Sequence, residues 1–444
     1  MNPWLPEAAH PCGAPDTGVT RWRGALTKLL DMKFHAVNHT IAARVDAAHA
    51  FMPYPEVEVP NAAQGPLSGL RLAVKDVFHV AGYPTSMGQP WLAAALGVQN
   101  QHAQVVADLL NAGAAFVGKT VSDEMALSMT GQNVHYGAPL NGADPKRIAG
   151  GSSSGSASAV SNDLADIALG TDTGGSVRAP ANHCGLWGIR PTHARVAVEG
   201  VLPQSDSLDT VGWLTQNAEV GYRVAQVVMG ADAQPLPSEP NRVRWLWPES
   251  MWSLATDSAR PSHLTAWERL GAGLGLQSTN LDAGWRSTDD EELYWAFRRI
   301  QGFEAWQHWG DFMTKAQPNL AANVAERFAW AQTVQADDYQ AALAVRSTLS
   351  QELDDLMGHD GVMVVPTMPD VAPLCAEPES NLEDFRNRAI RLLCVAGLAG
   401  LPQVSLPVGR HGGAPLGLSL IGPRGSDVSL CALAAAMARS NKLG

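Results

Sequence analysis

Short apolar strands alternating with segments at helical spacing predict an α/β fold for this chain. Its 444 residues are a length that large α/β enzymes often fill as one domain. Apolar residues make up 45% and charged residues 17%, enough for a large core and far from a disordered composition.

Each element has a local signal in the sequence. Residues 1–65 are a Pro-punctuated opening around one helical stretch, Leu26 to Phe51. Gly69 to Val74 (GLRLAV) reads as a short buried strand with Lys75 at its end. In Gln104 to Ala112, Val105, Val106, Leu109 and Leu110 fall at helical spacing, and Gly113 supplies a C-terminal cap. Ala114 to Val117 is a small strand, and Ile167-Ala168-Leu169 another. Residues 149–190 around it are dense in Gly, Ser and Thr, which predicts backbone packed tightly around something rather than a linker. Val243 to Trp247 is strand-like, and most of the chain from there to about 360 reads as helix, with Val345, Leu349, Leu353 and Leu356 on one stripe. Aromatics concentrate at Trp285, Trp295, Phe297, Phe303, Trp306, Trp309, Phe312, Phe328 and Trp330. They serve either as helix-packing core or as a substrate-facing wall. The strands VMVVPT and LPQVSLPVG and a helix from Ser426 to about Arg439 close the chain.

Composition excludes several functions. Lys plus Arg is 31 against 43 Asp plus Glu, a formal net charge of -12 with no basic run, so nucleic acid is not an expected partner. The five cysteines, Cys12, Cys184, Cys375, Cys394 and Cys431, are odd in number and lack CxxC spacing, which indicates neither a disulfide framework nor a zinc ribbon and fits a reducing cytoplasm. The opening MNPWLPEAAHPCG lacks the basic flank and apolar run of a signal peptide. The uncharged stretch Leu392 to Gly409 holds Pro402, Gln403, Ser405 and Pro407 and reads as buried turns and strands rather than a membrane span.

Three familiar motifs are imitated without their context. Gly113 to Thr120 (GAAFVGKT) matches a phosphate loop by letter, but a helix precedes it and its spacer is itself a strand. Gly151 to Gly155 (GSSSG) matches a nucleophile elbow centred on Ser153, but polar, turn-rich sequence stands where a hydrophobic strand is required. His35 and His39 lack the intervening Glu of a zinc helix. What remains is Lys75 at a strand end, a serine cluster and GTDTGGS. Gly174 and Gly175 let backbone N–H groups converge beside the Ser176 hydroxyl. A serine nucleophile needs a base, and a buried lysine can lose its charge and serve. The alternative is Gly-rich turns and a surface lysine.

The stretch Gly150 to Thr192, GGSSSGSASAVSNDLADIALGTDTGGSVRAPANHCGLWGIRPT, resembles the amidase signature. LRLAVKDVF around Lys75, LLNAGAAFVGKTVSDEMA, LDTVGWLTQ, VMVVPTMP and GLPQVSLPVG fit that family in its order. The likeness covers nearly everything past residue 66. It implies an amidase signature domain over 66–444, a central mixed sheet covered by helices on both faces in one large domain, with 1–65 as a helical extension packed on the core. It implies a catalytic trio of Lys75, Ser152 and Ser176, with Ser152 in a cis peptide 24 residues before Ser176. It further implies an oxyanion hole from the backbone of Thr173, Gly174, Gly175 and Ser176, and a substrate-lining loop at Ala126, Ser128, Met129 and Thr130. No metal or cofactor is implied. The likeness is strongest to the indole-3-acetamide hydrolase branch. Ser154, His183 and Trp187 depart from the family's usual residues, a matter of pocket shape rather than chemistry.

The expected activity is hydrolysis of a small apolar or aryl carboxamide to carboxylate and amine through a seryl acyl-enzyme. Alternatives are a carbamate or ester hydrolase on the same trio, a glutaminase subunit of an amidotransferase, and a non-catalytic docking module. The expected partner is the small amide alone, without membrane, with a homodimer left open. His79 and His135 are the rival bases to Lys75.

Overall fold

The computed structural model describes residues 46–272, 278–281 and 285–441. Its described strands form one ten-stranded sheet in the order β2-β1-β3-β5-β4-β9-β10-β8-β6-β7. The elements are β1 Arg71–Lys75, α1 Pro90–Leu96, α2 Gln104–Asn111, β2 Ala115–Thr120, α3 Ser154–Ser161, β3 Ile167–Asp172, α4 Arg178–Cys184, β4 Trp187–Arg190, β5 Thr210–Thr215, α5 Ala218–Met229, β6 Arg244–Pro248, α6 Glu249–Trp252, α7 Arg260–Ala272, β7 Ser278–Leu281, α8 Asp290–Ala316, α9 Ala322–Ala331, α10 Ala336–Met357, β8 Gly361–Pro366, α11 Glu379–Ala399, β9 Gln403–His411, β10 Ala414–Ile421 and α12 Asp427–Ser440. Pairing is parallel at both ends of the sheet and antiparallel through β3, β5, β4, β9, β10 and β8. The fold is therefore the mixed α/β sheet expected.

Both faces of the sheet are buried, because successive residues of one strand enter different cores. Leu72 and Val74 of β1 join the largest apolar cluster, while Ala73 between them joins another with Ala168 and Leu214. Val362 and Val364 of β8 face the first cluster, and Met363 and Val365 face a third with Phe297 and Leu393. The small residues of 149–190 serve the Ala73 face, where α3 and α4 lie close to the strands. A Cβ on Gly155 would stand 2.3 Å from Ala50 O, and one on Gly188 2.5 Å from the Ala181 methyl. The Gly/Ser/Thr density is thus close packing and not a linker.

The 27-residue α8 is capped by Asp289, whose side chain accepts from Glu292 N at 2.8 Å, and carries three acids in its first turn and Lys315 in its last. Its buried face runs through Leu293, Phe297, Ile300 and Glu304, which lays it over the end of β3.

Some expectations shift. Residues 26–45 of the opening helical stretch, with Cys12, His35 and His39, lie outside the described residues. Its remainder, 46–51, is a turn ending in a bridge between Phe51 and Thr120. The Lys75 strand begins at Arg71, not Gly69. Leu392 to Ala399, read as turns and strands, is the buried end of α11, stopped by Gly400 at φ 66°. A helix buried all round shows no 3.6-residue stripe, so its period is invisible in the sequence.

Candidate active site

Three loops leave the sheet close together. β1 ends on Lys75, which is fully buried. Its Nζ donates to Ser152 Oγ at 2.8 Å and to Thr171 Oγ1 at 2.9 Å. Among the described residues Lys75 makes no salt bridge. Burial draws its pKa down to about 7, against the opposing pull of Asp123, Asp209 and Asp172. Ser152 opens the approach to α3, and the Gly151–Ser152 peptide is cis. Ser153 N donates to Ser176 O at 3.2 Å, which brings the second serine loop, between β3 and α4, against the first. The Ser176 hydroxyl has no hydrogen-bond partner among the described residues, and the residue is 7% exposed.

The loop before Ser176 is anchored by Asp172. Its carboxylate accepts from Gly175 N at 2.9 Å, Val177 N at 3.1 Å, Arg178 Nη2 at 2.7 Å and Arg190 Nη1 at 2.9 Å. Burial alone would raise this carboxyl, but Arg178 and Arg190 hold it well below the usual range. The bond from Gly175 matters for the expected set of four donors. Its N–H already has an acceptor, whereas the N–H groups of Thr173, Gly174 and Ser176 have none among the described residues. Thr173 Oγ1 donates to Asp209 Oδ1 at 2.5 Å, and Asp209 Oδ2 takes Gln204 N and Ser205 N. The roof is tight: a Cβ on Gly174 would lie 2.5 Å from Phe297 Cζ, and one on Gly175 2.3 Å from Leu393 Cδ1.

The loop 126–130 stands beside this site. Gly151 N donates to Met129 O at 3.0 Å, Gln204 Nε2 to Ala126 O at 2.6 Å, and Arg327 Nη1 to Leu127 O at 2.7 Å. Ser128 Oγ and Thr130 Oγ1 share a hydrogen bond of 3.1 Å.

The other motifs resolve as structure. Lys119 of the false phosphate loop is fully buried, paired with Asp76 at 2.6 Å, and donates to Pro84 O and Thr85 Oγ1. Ser153 stands at the N-cap position of α3 without a side-chain cap bond, its hydroxyl donating to Thr171 O at 3.4 Å, and loop rather than strand precedes it. His79 Nδ1 meets Thr85 Oγ1 at 3.0 Å and burial lowers its pKa to about 4, while His135 Nε2 meets Glu124 Oε1 at 2.8 Å. His183 packs under Gly150 and against Phe385, and Trp187 is in the core. Of the aromatic group, Phe297 covers Gly174 and Trp330 lines a neighbouring cavity. Trp309, Phe312 and Phe328 belong to the main core, and Phe303 stacks on Tyr339 at 4.4 Å. Helix packing consumes most of these rings.

Sequence reasoning did not single out Thr171, Asp172, Arg178, Arg190 or Asp209. The signal was present for the middle three: a single acid in GTDTGGS and the arginines of SVRAP and GIRP, each inside apolar surroundings.

The site thus holds a buried amine on a serine hydroxyl, beside the loop of a second serine with unpaired backbone donors among the described residues. The family model described as Amidase matches residues 30–250 and 301–431. The chain is 34% identical over 408 residues to "Amidase 1" of Oryza sativa subsp. japonica, covering 85% of this chain and 92% of that protein. It is 31% identical over 398 residues to "Outer envelope protein 64, chloroplastic" of Arabidopsis thaliana, covering 67% of that longer protein. A solved structure titled "Crystal structure of amidase" superposes with a TM-score of 0.76 at 31% identity over 86% of each chain. The protein belongs to the amidase family and is a hydrolase acting on carbon–nitrogen bonds. Among the described residues no helix is long and apolar enough to cross a membrane.

Proposed function

We propose that the protein hydrolyses small carboxamides through a seryl acyl-enzyme, with Ser176 as nucleophile, Ser152 as proton bridge and Lys75 as base. The supporting observation is Lys75 Nζ against Ser152 Oγ at 2.8 Å in a fully buried position with no salt bridge among the described residues. An amine so placed is readily neutral near pH 7 and able to accept a proton. The Ser176 proton passes to Ser152 as Ser152 gives its own to Lys75, while Ser176 Oγ bonds to the carbonyl carbon. The N–H groups of Thr173, Gly174 and Ser176 hold the oxyanion. Protons return along the same path to the leaving nitrogen, so the C–N bond breaks to an amine. A water, deprotonated by the same relay, attacks the acyl-serine and frees the carboxylate.

Substrate-side contacts come from loop 126–130, and Phe297 gives the acyl group an apolar surface, in keeping with alkyl or aryl amides. The catalytic unit is 66–444 with 1–65 as an extension. A cytoplasmic location accompanies this reading, since Cys184, Cys375, Cys394 and Cys431 are all unpaired.

A phosphonofluoridate probe followed by intact-mass spectrometry tests the assignment. One adduct is expected, lost in Ser176→Ala and kept in Ser153→Ala. The reverse pattern overturns it. Rates on matched amide, ester and urethane substrates rank the leaving groups.

A further inference from the structure

Next to Gln132 and Asn133, just beyond loop 126–130 in the chain, lies a cavity of about 800 Å³ whose walls also include Arg298, Arg327, Trp330 and Glu383. Hydrogen bonds link its wall to the serine loops. Arg327 holds Leu127 O, Met129 O takes Gly151 N, and Ser153 N reaches Ser176 O. On α8, Arg298 directly follows Phe297, the ring over Gly174.

The cavity walls carry Arg298 and Arg327 with Glu326, Glu379 and Glu383, but around Glu383 itself positive charge is in excess. The Arg298 guanidinium lies 4.9 Å from the Trp330 ring centre and 5.8 Å from that of Tyr294, and Nη1 donates to Tyr294 Oη at 3.1 Å. These contacts hold the guanidinium in place, yet among the described residues it forms no salt bridge. Arg327 Nη2 and Arg386 Nη1 both donate to Glu383, at 3.0 and 3.1 Å. Arg386 is 6% exposed and its Nε has no partner among the described residues. Burial, together with Arg327 and Arg298, draws its pKa to about 9. Three guanidinium groups therefore gather around one carboxylate. The remaining acids of the lining, Glu326 and Glu379, are exposed at the rim, where Glu379 takes Asn323 Nδ2.

We propose that this cavity is a carboxylate subsite. It takes the anionic end of an amide that carries a second acid group, an ω-carboxyalkanamide, while the amide end reaches Ser176 past loop 126–130. A planar guanidinium packed on Trp330 and bonded to Tyr294 Oη presents a fork that matches a carboxylate bidentately. The inference deepens the amide reading and rests on it.

Ammonia release is measured for ω-carboxyalkanamides of increasing length and for unsubstituted alkanamides of equal length. At the length that spans the two sites, kcat/KM for the acid should exceed that for its neutral counterpart about tenfold or more. In Arg298→Gln this ratio should fall to about one, and Arg298→Lys, with charge but no fork, should keep part of it. Equal ratios at every length, or a ratio unmoved in Arg298→Gln, overturn the subsite. Adipate should inhibit hydrolysis of a neutral amide competitively; a non-competitive effect would assign the cavity to an effector and overturn the proposal. Adipate binding by calorimetry, weakened in Arg298→Gln, separates the two readings: it stands even if no amide is turned over, whereas turnover without it leaves the amidase reading intact and removes this one.

Discussion

If Lys75 is a neutral base, activity must follow its deprotonation. Full burial brings its pKa from 10.5 to about 7. The neutral fraction is then about half at pH 7, about a tenth at pH 6 and about a hundredth at pH 5. kcat/KM for a neutral amide should rise tenfold per pH unit on the acid side and level off above about pH 8. Lys75→Arg should be inactive at every pH, since a guanidinium stays charged. The same shift acts on stability. The folded pKa lies below the unfolded one, so between about pH 7 and 10.5 the unfolded chain holds the extra proton and this group makes stability rise with pH. The slope is about 1.4 kcal/mol per unit, and about 5 kcal/mol over the whole window. Urea unfolding of Ser176→Ala from pH 7 to 10, with and without Lys75→Met, isolates that slope. A flat rate profile from pH 5 to 9 with chemistry rate-limiting, or activity in Lys75→Arg, refutes the reasoning.

Gly174→Ala should lower kcat at least tenfold, because a Cβ there meets Phe297 Cζ at 2.5 Å and must displace the Gly174 N–H, a donor in the proposed oxyanion hole. Phe297→Ala in the same chain should restore part of the loss, and full activity in the single variant would show that the roof yields. His263 is 1% exposed, set edge-on to Trp252, with its pKa lowered to about 4 mainly by burial. It must fold neutral, so as pH falls from 6.5 to 4 the unfolded chain gains the proton and about 3 kcal/mol of stability is lost. In His263→Phe the acid midpoint in urea titrations should move to lower pH; an unchanged midpoint counts against the buried neutral ring.

The mixed sheet and the stretch from Gly150 to Thr192 were legible because their letters are forced locally. Only small residues let α3 and α4 approach the strands at Gly155 and Gly188, so the packing is written as composition. Lys75 and Ser176 carried their own chemistry, Ser152 was picked out by the family likeness alone, and the structure brings Lys75 to Ser152 and the Ser176 loop beside them. The end of α11 was not legible, because a helix covered on every side leaves no polar face to mark its period.

The sequence by itself determined which polar residue types are available to the site and how the elements alternate. Tertiary structure alone decided how they are spent. Gly175 N–H goes to Asp172 rather than remaining with its neighbours, Lys119 is neutralised by Asp76, and Arg298 meets Trp330 across α8 and α9 without an acid partner among the described residues. A hydrogen bond or an ion pair depends on which atoms lie within a few ångströms after the chain has folded. That distance is set by segments far apart in the sequence, and no local pattern encodes it.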